Sequence, residues 1–317
     1  DLRARLAPLA ARHPVSASRL ATYARCGSLY LLQNVLRPQP APEPEERRRI
    51  DPLERGNLFH EVAERFLRER RDRGELPVRD TEAARARLRE MAEEALFGLV
   101  EGRPPRFTLL WEREKRRFHE TVQLWLARET LAAERSTPAH FEVGFGLDRV
   151  PDGAEPHLRD PVEIDLGDGR SLRVSGRIDR IDRRSDGLVL RDYKTGRAPR
   201  DDGGVFRGGK QLQIPFYVLA AARLFPGEPV VEAFLDYVDG GRQVAFRPEV
   251  ATGAEFRLLL RRLVDLVARG VFVQEPSACD LCDFTEVCGP KPLLQRRQAI
   301  KVRDRALQEY LRLRDVS

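Results

Sequence analysis

Asp192 and Lys194 stand two apart in "LRDYKTG" (190–196), and a carboxylate beside an ammonium can do chemistry on a phosphate. On a strand, residues i and i+2 point to one face. The preceding apolar run, "SLRVSGRIDRIDRR", carries Asp179, and "RRSDG" can join the two runs as a hairpin turn. If Asp186-Gly187 form the turn, Asp192 lies opposite Ile181 and Asp179 is its diagonal neighbour. If Ser185-Asp186 form it, Asp192 lies directly opposite Asp179. Either turn puts Asp179, Asp192 and Lys194 on one face; a three-residue loop does not. Two close carboxylates repel, and burying both is costly without a cation. Mg²⁺ or Mn²⁺ meets that need with oxygen ligands. The ammonium can then orient or deprotonate an activated water and offset charge growing on a phosphate. The plainer alternative is a charged cross-strand ladder, with Asp192 paired to Arg180 or Arg183.

The lysine itself is informative. Of 56 Lys plus Arg residues only Lys115, Lys194, Lys210, Lys291 and Lys301 are Lys. A site needing positive charge alone would drift to Arg with the rest of the chain. A site needing a compact, titratable ammonium would not.

These strand residues need partners from other elements. Asp51-Pro52 reads as a helix cap and first turn, opening a helix to about residue 71 with Phe59, Val62, Ala63 and Phe66 on its buried face. Gly56, His60 and Glu64 follow at intervals of four and share one face beside that stripe. The small Gly56 leaves room for something to approach the His60 ring, although a lone His at such a boundary can simply pack there. A helix over about 209–224 sets Gln213 and Tyr217 on one face, with Lys210 a turn earlier. Residues 14–36 read as one helix capped by Ser16 or Ser18, and 37–49 as a Pro-rich linker. Residues 80–134 give two helices broken at "EGRPPRF". From about residue 140, alternating runs give strands, followed by a hairpin at "VVEAFLDYVDGGRQVAFRP" and a helix over about 252–269. The expected fold class is α/β, a single domain over 1–317. Its parts are an N-terminal Cys helix and linker (1–50), a helical region (51–135), a catalytic α/β core (136–270), and a Cys loop with C-terminal helix (271–317).

Together these residues resemble the PD-(D/E)XK nuclease superfamily, in particular its RecB/AddB-like branch. The matching motifs are "GNLFHEVAE" (56–64), "GRID" (176–179), "DYKTG" (192–196) and "QIPFY" (213–217), spread over about 160 residues. The usual Pro before the first Asp is replaced by Ile178. The resemblance implies a restriction-endonuclease-like core, a central mixed sheet flanked by helices. It implies that His60, Asp179, Asp192 and the Tyr193 carbonyl hold Mg²⁺ or Mn²⁺, and that Lys194 is the catalytic lysine. Gln213 and Tyr217 would position water, the lysine or the nucleic-acid backbone, with Glu64 in support.

The four cysteines are Cys26, Cys279, Cys282 and Cys288, the last three as C-x2-C-x5-C. Four soft thiolates suit zinc or an iron–sulfur cluster, and spacing does not separate the two. Two disulfides are the plainer alternative. Iron–sulfur members of the same branch have one Cys before the nuclease motifs and three after. That resemblance implies a 4Fe–4S cluster that ties the chain's two ends together.

Net charge is +6 and no apolar run reaches 18 residues, so the expected partner is a polyanion and a membrane helix is excluded. No G-x-x-x-x-G-K-S/T motif occurs, so an ATP-driven motor would lie outside this chain. The leading expectation is a cytoplasmic, metal-dependent deoxyribonuclease acting on single-stranded DNA or DNA ends, in repair or recombination beside a helicase. Starting at Asp1 and resembling RecB/AddB, the chain reads as a piece of such a helicase or as its partner. The alternative is a catalytically silent DNA-binding or structural subunit of such a complex.

Overall fold

The computed structural model describes residues 13–38, 50–101, 108–132, 135–147, 155–198 and 204–316. Most of the expected 37–49 linker, and the break within "EGRPPRF", lie outside the described residues.

One strand organises the sheet. β4 (Ser171–Arg184) is long enough to pair with four neighbours, two on each half. Its first half pairs with β1 (Val15–Ser16, parallel) and β3 (Val162–Asp165, antiparallel). Its second half lies between β2 (Thr137–Phe145) and β5 (Gly187–Lys194), both antiparallel. β5 then pairs in parallel with β6 (Val230–Tyr237), and β6 antiparallel with β7 (Arg242–Phe246). The result is a mixed seven-stranded sheet flanked by helices, as expected. Arg184 faces Gly187, so Ser185 and Asp186 form the β4–β5 turn. Continued along the strands, that register sets Asp192 opposite Asp179.

Helices cover the sheet in two groups. α1 (Ala17–Arg25), α6 (Gln213–Leu224) and α7 (Ala254–Ala268) share one apolar core with Ile181, Leu188 and Leu190. α3 (Pro52–Asp72), α4 (Glu82–Val100) and α5 (Thr108–Ala132) share a second with Phe141 and Tyr193. The first turn of α3 forms as its sequence dictates. Pro52 needs no N–H partner, Asp51 accepts from Leu53 N–H at 2.8 Å, and Glu54 returns the bond to Asp51 N–H.

Two expected helices are corrected. Residues 14–36 do not form a single helix: α1 stops at Cys26, whose backbone is extended (φ −163°, ψ 116°), and α2 (Gly27–Tyr30) and a π-helical turn (Leu31–Leu36) follow. The break has a packing cause, because a Cβ on Gly27 would lie 2.8 Å from the Val273 backbone nitrogen. Only glycine lets the two segments approach so closely. The second correction is that α6 begins at Gln213 and not near 209. Gly208 and Gly209 sit at φ +65° and +91°, which no helix continues through. Lys210 is therefore exposed on a loop, not one helical turn before Gln213. The Cys loop contains a short helix, α8 (Thr285–Cys288), and the tail after it is two helices, α9 (Lys291–Ile300) and α10 (Arg305–Leu311), where one was expected. Among the described residues no helix is long and apolar enough to cross a membrane.

Candidate active site

The middle of β4 and the C-terminal end of β5 meet the first turns of α3 at a cavity of about 530 Å³, lined in part by Gly56, His60, Glu142, Tyr193 and Lys194. Gly56 brings the helix close to the strand end: a Cβ there would lie 3.4 Å from Thr195 Oγ1. Gly56 and Thr195 both line the cavity, so the room left by the missing side chain is part of it.

His60 is aimed by the backbone of β5. Its Nε2 is 3.2 Å from the Tyr193 carbonyl oxygen, and its Nδ1 is 3.5 Å from Asp179 Oδ2 and 3.8 Å from Glu142 Oε1. Asp179 Oδ2 also accepts from Tyr193 N–H at 2.8 Å. His60, Glu142 and Asp179 each offer a ligand atom within 4.8 Å of the others. Adjacent ligands around an octahedral Mg²⁺, at about 2.1 Å from the ion, are about 3 Å apart. The observed spacings and the oxygen-rich donor set fit such a cation.

Glu142 was not found by sequence reasoning. It faces Asp179 across the β2–β4 register and is held at φ +52°, a left-handed conformation rare in a strand. The acid between apolar neighbours in "FEVGF" was visible, but its partner strand was not.

The other residues form a closed ring. Lys194 lies against Asp192 Oδ2 and donates to Gln213 Oε1 at 2.7 Å. Gln213 Nε2 reaches the Tyr217 hydroxyl at 3.4 Å, and that hydroxyl donates to Asp192 Oδ1 at 3.2 Å. The charged-ladder alternative does not describe Asp192. Arg180 is spent on Asp182 and Glu129, and Arg183 on Glu228. Glu64 sits at the cavity rim and pairs with Arg68 at 2.9 Å, apart from the three-ligand group.

Electrostatics mark the same point. Burial, and then the Asp192 charge, push the Asp179 carboxyl up to about 7. Burial disfavours a charged His60, but the Asp179, Glu142 and Asp192 carboxylates outweigh it and raise the ring to about 9. Burial likewise opposes the Lys194 charge, and Asp192 and Asp179 overcome it, so the ammonium is raised above its ordinary value. Burial and the Glu142 charge raise Glu64. Burial and Asp192 keep Tyr217 a neutral phenol. A surplus of negative charge held by protons and one ammonium is what a divalent cation would discharge.

The segment that carries Cys26 lies beside the one that leads into the three later cysteines. Residues 23–28 run along 271–275: Tyr23 Oη donates to Val271 O at 2.6 Å, and Ser28 N–H to Val273 O at 3.1 Å. Glu275 N–H donates to Cys26 Sγ at 3.4 Å. All four thiols are free. Burial raises Cys279, and Cys26, Cys282 and Cys288 add to the shift, so the four sulfurs feel one another. Among the described residues no three of them gather within 4.8 Å, whereas a zinc tetrahedron sets its sulfurs about 3.8 Å apart.

A family model described as the PD-(D/E)XK nuclease superfamily matches residues 14–289. The chain is 29% identical over 299 residues to an ATP-dependent helicase/deoxyribonuclease subunit of Moorella thermoacetica, covering 89% of this chain and 24% of that protein. It is 30% identical over 214 residues to the protein of the same name from Acetivibrio thermocellus, covering 64% of this chain and 17% of that one. With the protein of the same name from Lacticaseibacillus paracasei it shares 31% over 228 residues, 69% of this chain and 18% of that one. The chain thus spans less than a quarter of the length of these relatives. On the family match across nearly its whole length, with the motifs in place in the fold, the chain belongs to the PD-(D/E)XK nuclease superfamily.

Proposed function

We propose that this chain is a metal-dependent DNA nuclease domain, hydrolysing phosphodiesters of single-stranded DNA or DNA ends, and that it works beside a helicase in repair or recombination. The observation that carries the reading is the meeting of His60, Glu142, Asp179 and the Tyr193 carbonyl beside the Asp192–Lys194 pair. His60, Asp179, Asp192, Glu142 and the Tyr193 carbonyl would hold Mg²⁺ or Mn²⁺. When bound, that cation supplies Lewis-acid charge for the phosphodiester and lowers the pKa of an attacking water. Lys194 supplies positive charge where the phosphate gains negative charge. Gln213 holds the ammonium and Tyr217 fixes one oxygen of Asp192, which keeps both side chains aimed. Glu64 supports the rim through Arg68. The names of the relatives support a helicase partner, which would belong to the larger assembly.

We assign the four thiols to a 4Fe–4S cluster. The electrostatic influence of Cys26, Cys282 and Cys288 on Cys279, and the Glu275 N–H bond to Cys26, support it. Its role is structural, joining the parts from 1–50 and 271–317 into one domain with the core.

The decisive experiment is degradation of labelled single-stranded DNA in Mg²⁺ or Mn²⁺ by the wild type and by Lys194→Ala. Loss of about 10²–10³ in rate with binding retained is expected. Equal rates would remove Lys194 from the mechanism. Binding without cleavage by the wild type would favour the silent-subunit reading.

A further inference from the structure

The cavity is hostile to its proposed substrate. Glu61, Glu64 and Glu142 line it, Asp179 and Asp192 lie against its lining residues His60 and Lys194, and a DNA strand is a polyanion. Among the described lining residues three are cationic or can be: His60, Lys194 and Arg177. The first two are engaged, His60 with Asp179 and the Tyr193 carbonyl, Lys194 with Asp192 and Gln213. Arg177 is different. Among the described residues its hydrogen bond is a single long contact, Nη1 to Glu142 Oε2 at 3.3 Å, and its side chain is 43% exposed. A pair that open to solvent is worth under about 1 kcal/mol, so it exchanges readily for a better partner. Gly144 faces Arg177 in the β2–β4 register, and the Leu147 side chain packs where a Cβ at Gly144 would lie, so the residue opposite Arg177 offers it no polar partner.

We infer that Arg177 is a phosphate-binding residue of this cleft, its guanidinium fork taking the non-bridging oxygens of the phosphate next to the one being cleaved. The inference rests on the nuclease reading and names a contact to its substrate. Arg177 precedes Asp179 by two residues in β4, a distance of about 7 Å along a strand. That is close to one nucleotide step of an extended strand, which places the fork at the neighbouring phosphate. A guanidinium matches two phosphate oxygens at once, which a single contact to Glu142 does not exploit. Were Glu142 to serve as a ligand of the proposed cation, the guanidinium fork would be free for the DNA.

The test is made in the full 317-residue chain on the Lys194→Ala background, with Mn²⁺ and a labelled single-stranded oligonucleotide. Arg177→Gln should lower affinity about tenfold and reduce the slope of log affinity against log salt by about 0.7, one phosphate contact on a single strand. The Mn²⁺ midpoint should stay within about twofold. In the cleaving enzyme the same change should raise KM about tenfold, with kcat within about threefold of wild type. Unchanged affinity and slope would overturn the inference. So would a shifted Mn²⁺ midpoint with unchanged affinity, since Arg177 would then only restrain Glu142. If Arg177→Gln does not melt like its parent, Arg177→Lys carries the test. Its slope should be retained while affinity falls, and unchanged affinity would overturn the fork. No metal-dependent DNA binding by the parent chain would overturn both this inference and the nuclease reading. Parent binding with an inert Arg177 would overturn this inference alone.

Discussion

Glu142 shows how much a single residue can depend on its backbone. Its left-handed φ turns a carboxylate from β2 toward His60 and Asp179. Glu142→Gln keeps the shape and removes a charge, so Mn²⁺ affinity should fall at least about tenfold, as read by calorimetric titration. The protons on this cluster give a second prediction. His60 is raised from 6.5 to about 9, so its stabilising charge is fully present below 6.5 and is lost as pH climbs through 9. Asp179 is raised from 3.8 to about 7, so the folded state favours its proton, and that advantage is lost as pH rises through 7. The two effects run the same way. Metal-free protein should melt at progressively lower temperature from about pH 6 to pH 9. The gain in melting temperature on adding Mn²⁺ should grow over that window, because metal takes the place of protons. A gain that shrinks would contradict the cluster. At this scale Asp179, Asp192 and Lys194 were legible because strand alternation and a two-residue turn fix their relation. Glu142 was not, because its place depends on a register between strands remote in sequence.

At the level of elements, α5 is fastened to the sheet by charge. Arg180 is 1% exposed and bonds Asp182, Glu129 from α5, and the Tyr193 hydroxyl. Arg191 and Ser136 complete the partners of Asp182. Removing one member of a buried ionic network strands the others, so Arg180→Met should cost about 3–5 kcal/mol in denaturant unfolding. Because Tyr193 is held by the same arginine, the variant should also bind Mn²⁺ more weakly at a temperature where it is still folded. The alternation in "RIDRIDRR" revealed a strand, yet nothing in it distinguished the arginine that is enclosed from those in water. Helix α3 was readable from its cap and apolar stripe. The break at Cys26 was not, since its cause is contact with Val273, nearly 250 residues away.

For the whole molecule, the order of the motifs was readable, but not the wrapping that brings 23–28 against 271–275. The proposed cluster sits on that seam. Cys26→Ser should give a protein without the brown colour and visible absorbance of the parent, less stable by at least about 2 kcal/mol, because a closure spanning most of the chain is released. A variant that keeps both colour and melting point would remove Cys26 from the cluster.

The seam also has a mechanical consequence. Tyr310 adds a further strut, its hydroxyl donating to the carbonyls of Tyr23 and Ala24. Tension applied between the two ends of the described chain would be borne by these contacts together with the β1–β4 pairing at Val15–Ser16 and the Gly208 N–H bond to the Val316 carbonyl, before it reached β5. Under the proposed partnership with a helicase, a pull from the motor would fall on the seam and on β4 together.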